Sequence, residues 1–91
     1  GDCVKAEIPG RGGNAHVVMM GHRDTVFPKG TTTTRGFSKN GNIAYGPGVA
    51  DMKGGLVVNC FVLRALKAAG GADFPVVALF TADEEIGSPS G

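Results

Sequence analysis

Two short runs of consecutive apolar residues constrain this chain more than any other feature: His16-Val17-Val18-Met19-Met20 and Phe74-Pro75-Val76-Val77-Ala78-Leu79-Phe80-Thr81. Neither alternates apolar with polar. Uninterrupted runs of this length, β-branched at the centre, fit strands covered on both faces, as in an α/β sheet. Pro75 then belongs at the first or an edge position of its strand, because it has no N–H to give a ladder. Between the runs lies a helix candidate, Lys53 to Ala69, with Leu56, Cys60, Leu63 and Leu66-Lys67 at spacings of three and four. Val57, Phe61 and Ala65 lie beside that stripe, and Gly70-Gly71 supplies the stop. On this reading Cys60 is a small buried core residue. Ahead of the first run, Cys3 to Ile8 alternates, which suggests a half-buried strand, and residues 9–14 are turn material.

The order strand–strand–helix–strand argues for an α/β fold. One helix cannot shield both sides of a sheet, so at least one sheet face is expected to be poorly covered. With 91 residues the chain has room for one small domain. Its 42% hydrophobic content is too high for a disordered segment, and a net charge of +1 gives no electrostatic reason to expect nucleic acid or an acidic membrane as partner. No stretch approaches the roughly 18–20 apolar residues that a membrane-crossing helix needs. Cys3 and Cys60 form no CxxC pair and no zinc-finger spacing. They leave the compartment open between cytoplasm and periplasm.

Residues 24–48 form a long, polar, irregular stretch, and a loop of that length in a compact domain is usually functional. Within it, residues 36–46 read as a small hairpin turning at Asn40-Gly41.

Three polar clusters adjoin these apolar elements: Gly21-His22-Arg23-Asp24-Thr25-Val26, residues 46–55 around Asp51, and Thr81-Ala82-Asp83-Glu84-Glu85-Ile86-Gly87. The clusters at His22 and Glu85 fall just past predicted strand ends, where ligand sites of open α/β sheets gather. Imidazole and carboxylate together suit zinc at neutral pH. His22 offers one ring nitrogen to a metal. Asp24, two residues on along an extended chain, stands ready to accept from the other nitrogen. Asp51 has two oxygens that could bridge two cations, and Glu85 is a further ligand candidate. Glu84 points differently along an extended segment, so one glutamate can bind metal while the other handles protons.

Taken singly, each residue has an ordinary reading. His22 alone is a hydrogen-bonded structural histidine, and His16 is structural or exposed. Asp51 alone is an N-cap, Glu84-Glu85 alone a solvated acidic turn, and Lys53 a surface helix residue. Gly46-Pro47-Gly48 is not a phosphate cradle, because no GK[ST] follows.

Taken together, GHRDTV (21–26), GPGVADMKGG (46–55) and DEEIGS (83–88) resemble, in order, the three signature regions of the M20-type metallopeptidases. That family includes glutamate carboxypeptidase, succinyl-diaminopimelate desuccinylase, acetylornithine deacetylase and the aminoacylases. The separations fit as well: Asp51 follows His22 by 29 positions and Glu85 follows Asp51 by 34. Gly-Pro-Gly at 46–48 looks nearer to the glutamate carboxypeptidase branch.

The resemblance implies a zinc-dependent exopeptidase with two Zn2+ (or Co2+) ions. His22 would ligate one ion, Glu85 the other, and Asp51 both. Glu84 would be the general base and Asp24 would orient His22. It also implies a cis peptide at Asp51-Met52. Substrates would be peptides or N-acyl amino acids, with aminopeptidase and deacylase as close alternatives.

The resemblance further implies that residues 1–91 are a single partial catalytic domain, a fragment of a larger three-layer α/β/α domain. The family's two remaining metal ligands, and the lid domain through which members often dimerise, have no counterpart here. The isolated chain is therefore expected to be inactive and poor in metal. Two rivals stand beside the enzyme: a non-catalytic binding or structural module, and a small α/β domain whose acidic loops meet by chance. Distance decides between them. A real site needs His22, Asp51 and Glu85 within roughly 4–7 Å of one another.

Overall fold

Strand propensity is strongest in the alternating segment and the two apolar runs, and these three pair into one sheet. The computed structural model describes residues 1–90. β1 (Val4–Ile8), β2 (Val17–His22) and β5 (Val76–Thr81) form the sheet in the order β1-β5-β2. β5 runs antiparallel to β1 and parallel to β2. The parallel pair needs a crossover, and helix α2 (Gly54–Ala68) provides it. Between β2 and α2 come a four-residue helix α1 (Thr31–Thr34), the hairpin β3 (Ser38–Asn40) and β4 (Ile43–Tyr45), and a π-helical turn, Val49–Lys53. The fold is α/β, as the element order predicts.

Packing α2 on the sheet demands close approach. A Cβ on Gly21 would lie 2.5 Å from Leu56 Cδ2 and 3.0 Å from Met52 Cε, so any larger residue there would push these side-chain ends aside. The sheet face that includes Gly21 and its register partner Phe80 meets the helix. Val76, Ala78 and Phe80 point to it and are the buried apolar residues, at 3%, 0% and 9% exposure. Burying Val76 and Phe80 contributes about 1.5–3 kcal/mol each.

The opposite sheet face is bare. Val18 and Met20 are 55% and 62% exposed. β2 is thus not covered on both faces, contrary to the reading of its apolar run, because residues 1–90 supply only two layers in a slab 14 Å thick by Cα positions. The expectation that one helix would leave a sheet face uncovered is met.

Three local expectations need correction. Cys60 is exposed rather than buried. The half-buried stripe of α2 is Leu56, Asn59, Leu63 and Leu66. Asn59 takes the inward place and donates from Nδ2 to the Met20 carbonyl at 3.4 Å, which turns Cys60 aside. The hairpin turns at Gly41-Asn42, one residue later than read, because Asn40 pairs with Ile43. Gly41 has φ 59°, a conformation natural to glycine. Finally, α1 was not expected in the threonine stretch. Its hydroxyls bond locally, Thr31 to the Pro28 carbonyl at 2.7 Å and Thr34 to the Thr31 carbonyl at 3.3 Å.

Candidate metal centre

His22 ends β2, so its side chain stands at the C-terminal rim of the parallel pair. It is 7% exposed. Its Nδ1 lies 3.1 Å from the backbone carbonyl of Asp24. A carbonyl only accepts, so Nδ1 carries the proton and Nε2 is left to face the rim. There Nε2 lies 3.0 Å from Asp51 Oδ1 and 3.9 Å from Glu84 Oε2. Burial alone would depress the imidazole pKa. The Asp24 carbonyl and the Asp51 side chain, with the negative charge of Glu84, outweigh it and hold His22 above its ordinary value.

Asp51 reaches this point from the π-helical turn. It has non-helical angles (φ −121°, ψ 103°), and the Asp51-Met52 peptide is cis, as the family resemblance implies. It is not an N-cap, for α2 begins without a side-chain cap. Gly48, at φ 76°, starts the turn and accepts the Lys53 N–H at 2.8 Å. Lys53 is exposed, yet its ammonium donates to the Arg23 carbonyl at 2.8 Å. It ties the Asp51 turn to the chain leaving β2.

Glu84 and Glu85 open a single 3-10 turn (Glu84–Ile86) after β5. The carboxylate of Asp24 accepts both of their backbone N–H groups, at 3.2 and 2.9 Å. Asp24 thus touches both His22 and the glutamate turn. The ring proton of His22 goes to the Asp24 backbone, with the side-chain oxygen farther off at 3.5 Å. The side chain is engaged by the glutamate turn instead. Burial pushes the Asp24 carboxyl up, but the N–H groups of Glu85 and Glu84 and the nearby His22 hold it below its ordinary value.

His22, Asp51 and Glu85 each present one donor atom, and these atoms lie within 4.8 Å of one another. The three residues, remote in sequence, therefore converge within the range a shared metal site requires. One imidazole nitrogen with carboxylate oxygens is a donor set that suits zinc. His16, outside the strand before Val17, does not join them. Two clefts border the cluster. One, of about 350 Å³, is lined by Met20, His22, Met52 and Glu84; the other, of about 340 Å³, by Thr25, Phe27, Arg35, Asp51 and Glu85.

Two residues beside the site draw no site role from the sequence alone. Lys53 looked like a surface helix position. Asp83 lay inside a quoted cluster but carried no assignment. It is 6% exposed and its Oδ2 accepts the Ser90 N–H at 2.8 Å. A charged residue two positions past the end of a continuous apolar strand is the available signal for it.

Comparison with known proteins agrees with this geometry. Residues 18–91 match Peptidase family M20/M25/M40. Carboxypeptidase G2 of Pseudomonas sp. is 44% identical over 89 residues, which are 97% of this chain and 21% of that protein. Succinyl-diaminopimelate desuccinylase of Methylocella silvestris is 36% identical over 78 residues, 80% of this chain and 20% of that protein. The chain thus spans about a fifth of the length of the relatives it matches. On the match across residues 18–91, with the motif order and the converging side chains, the chain belongs to peptidase family M20/M25/M40.

Proposed function

We propose that the protein carrying this chain is a zinc-dependent hydrolase of peptide or N-acyl-amino-acid amide bonds, acting as a glutamate carboxypeptidase-like exopeptidase. The observation that carries the reading is the approach of His22, Asp51 and Glu85 donor atoms to within 4.8 Å, with Glu84 Oε2 3.9 Å from the same imidazole nitrogen. The names of the two relatives, a carboxypeptidase and a desuccinylase, support a hydrolase, and the higher identity to the carboxypeptidase favours the exopeptidase. Deacylase and aminopeptidase are the alternatives within the same chemistry.

His22, Asp51 and Glu85 are the residues that would hold the metal, two Zn2+ (or Co2+) ions in the whole protein, with Asp51 shared between them. Bound zinc supplies Lewis-acid polarisation of the scissile carbonyl and a lowered pKa for water. Glu84 is the general base: it takes the proton of the attacking water and delivers it to the departing amine. The Asp24 carbonyl keeps the His22 ring in the tautomer that leaves Nε2 free for a cation, and its carboxylate holds Glu84 and Glu85.

Residues 1–91 would form part of one catalytic domain. Further metal ligands and a lid domain, through which the whole protein dimerises, would lie outside them. The substrate is a peptide or N-acyl amino acid, with no nucleic acid or membrane as partner. The test is hydrolysis of dipeptides and N-acyl glutamates by the full-length protein, before and after chelation. Activity that disappears with the metal and returns with zinc is expected. Activity indifferent to chelation would defeat the proposal. The 91-residue chain alone is expected to be inactive and to hold well below one zinc per chain.

A further inference from the structure

Glu84 and Glu85 are neighbours given different tasks, proton transfer and ligation respectively, and two carboxylates on a free turn would interchange. Something must fix the backbone that carries them. The hydrogen bonds of the segment after β5 identify what does so. The Glu84 and Glu85 N–H groups go to the Asp24 carboxylate, at 3.2 and 2.9 Å. The Ile86 and Ser88 N–H groups go to the Asp83 carbonyl, at 3.4 and 2.8 Å, and the Ser90 N–H goes to Asp83 Oδ2 at 2.8 Å. The Gly87 N–H goes to the Glu84 carbonyl at 2.9 Å, and Pro89 has none. Every N–H from Glu84 to Ser90 is therefore bonded, and all but that of Gly87 end on Asp24 or Asp83.

Asp83 is also a costly residue to place there. It is 6% exposed, and its Oδ1 is buried without a hydrogen-bond partner among the described residues. A buried, half-satisfied carboxylate works against stability, so stability alone does not account for it.

We propose that Asp83 is a positioning residue which, together with Asp24, clamps the turn bearing Glu84 and Glu85 and so keeps ligand and base in separate places. The inference rests on the hydrolase reading above for the two tasks, and on the hydrogen bonds for the clamp. Asp83 acts through the loop that returns to it. Its own carboxylate touches the Ser90 backbone and not the His22–Asp51–Glu85 cluster.

The experiment compares Asp83→Ala and Asp83→Asn with the unmodified full-length protein. The measurements are kcat and KM, Co2+ affinity by equilibrium dialysis, and thermal melting. Asp83→Ala is expected to lower kcat and Co2+ affinity by about 10–100-fold each, the range for outer-shell partners of metal ligands. KM should stay within about threefold. Asp83→Asn keeps an acceptor for Ser90 and should restore most of both. Asp83→Ala with kcat and Co2+ affinity within about twofold of the unmodified protein would overturn the clamp. If Asp83→Ala does not fold, amide exchange of the unmodified protein decides: the Glu84, Glu85 and Ser90 amides should exchange at least about tenfold more slowly than free amides, and an unprotected Ser90 overturns the proposal. Should the unmodified protein bind Co2+ yet hydrolyse nothing, the hydrolase reading fails by itself, and the Co2+ affinity of Asp83→Ala still judges the clamp.

Discussion

Nε2 of His22 and Oδ1 of Asp51 stand 3.0 Å apart, although 29 positions separate the two residues in the chain. A proton and a divalent cation compete for that space. Burial would favour neutral imidazole, but the Asp24 carbonyl, the Asp51 side chain and the charge of Glu84 raise the His22 pKa above its ordinary 6.5. A cation that binds Nε2 must displace the proton. Zinc or cobalt affinity should therefore fall as pH drops through the raised His22 pKa, approaching about tenfold per pH unit below it, with one proton released from this ring. Because the pKa is raised, the decline begins at a higher pH than free histidine would give. Titrations between about pH 5.5 and 8 check this. An affinity independent of pH over that range would show that His22 is not a ligand.

The two glutamates of the turn should fail differently. Glu84→Gln removes the proton carrier and should lower kcat by about 10²–10⁴-fold with metal content unchanged. Glu85→Gln takes away a charged donor and should lower metal affinity. Steady-state kinetics together with metal analysis of both variants is the measurement. If Glu84→Gln empties the site and Glu85→Gln leaves it full, the assignments are exchanged.

Much of this was legible in the sequence because the relevant signals are local. The runs ending at Met20 and Thr81, the stripe of Leu56, Leu63 and Leu66, and the motif residues His22, Asp51 and Glu85 each declare themselves within a few positions. What escaped depends on contacts between distant segments. Its place two residues away suggests Asp24 as the partner of His22. In space its carboxylate is nearer the Glu84 and Glu85 amides, 60 and 61 positions on, and its carbonyl makes the shorter contact with the ring, 3.1 Å against 3.5 Å for the side chain. Spacing alone places Cys60 inside. The choice between Cys60 and Asn59 was settled by the Met20 carbonyl on β2, which periodicity does not report. The double coverage read from His16–Met20 concerned a layer that residues 1–90 do not provide.

The approach of α2 to the sheet at Gly21 gives a stability prediction. In Gly21→Ala the new methyl would meet Leu56 Cδ2 at 2.5 Å and Met52 Cε at 3.0 Å. The contact is with side-chain tips, so the core shifts rather than breaks, at about 1–3 kcal/mol by urea denaturation of the full-length protein. Adding Leu56→Ala should recover part of the methyl clash, so the double variant should lose less than the sum of the singles. Strict additivity would mean that Gly21 is not required by this packing.

The bare sheet face supports a prediction in which one substitution acts in opposite directions. Met20 is 62% exposed and Val18 55%, two positions apart on β2 with nothing packed over them among the described residues. Apolar patches of this kind drive association. The isolated 91-residue chain should self-associate, and Met20→Lys should shift it toward monomer in light scattering coupled to size exclusion. If further layers of the full-length protein cover this face, the same change there buries an ammonium and should lower stability by several kcal/mol. Improved monomer content in the short chain together with lost stability in the long one is the expected pair of results. A full-length protein indifferent to Met20→Lys would show that the face stays open to water, and the three-layer α/β/α architecture would have to be abandoned.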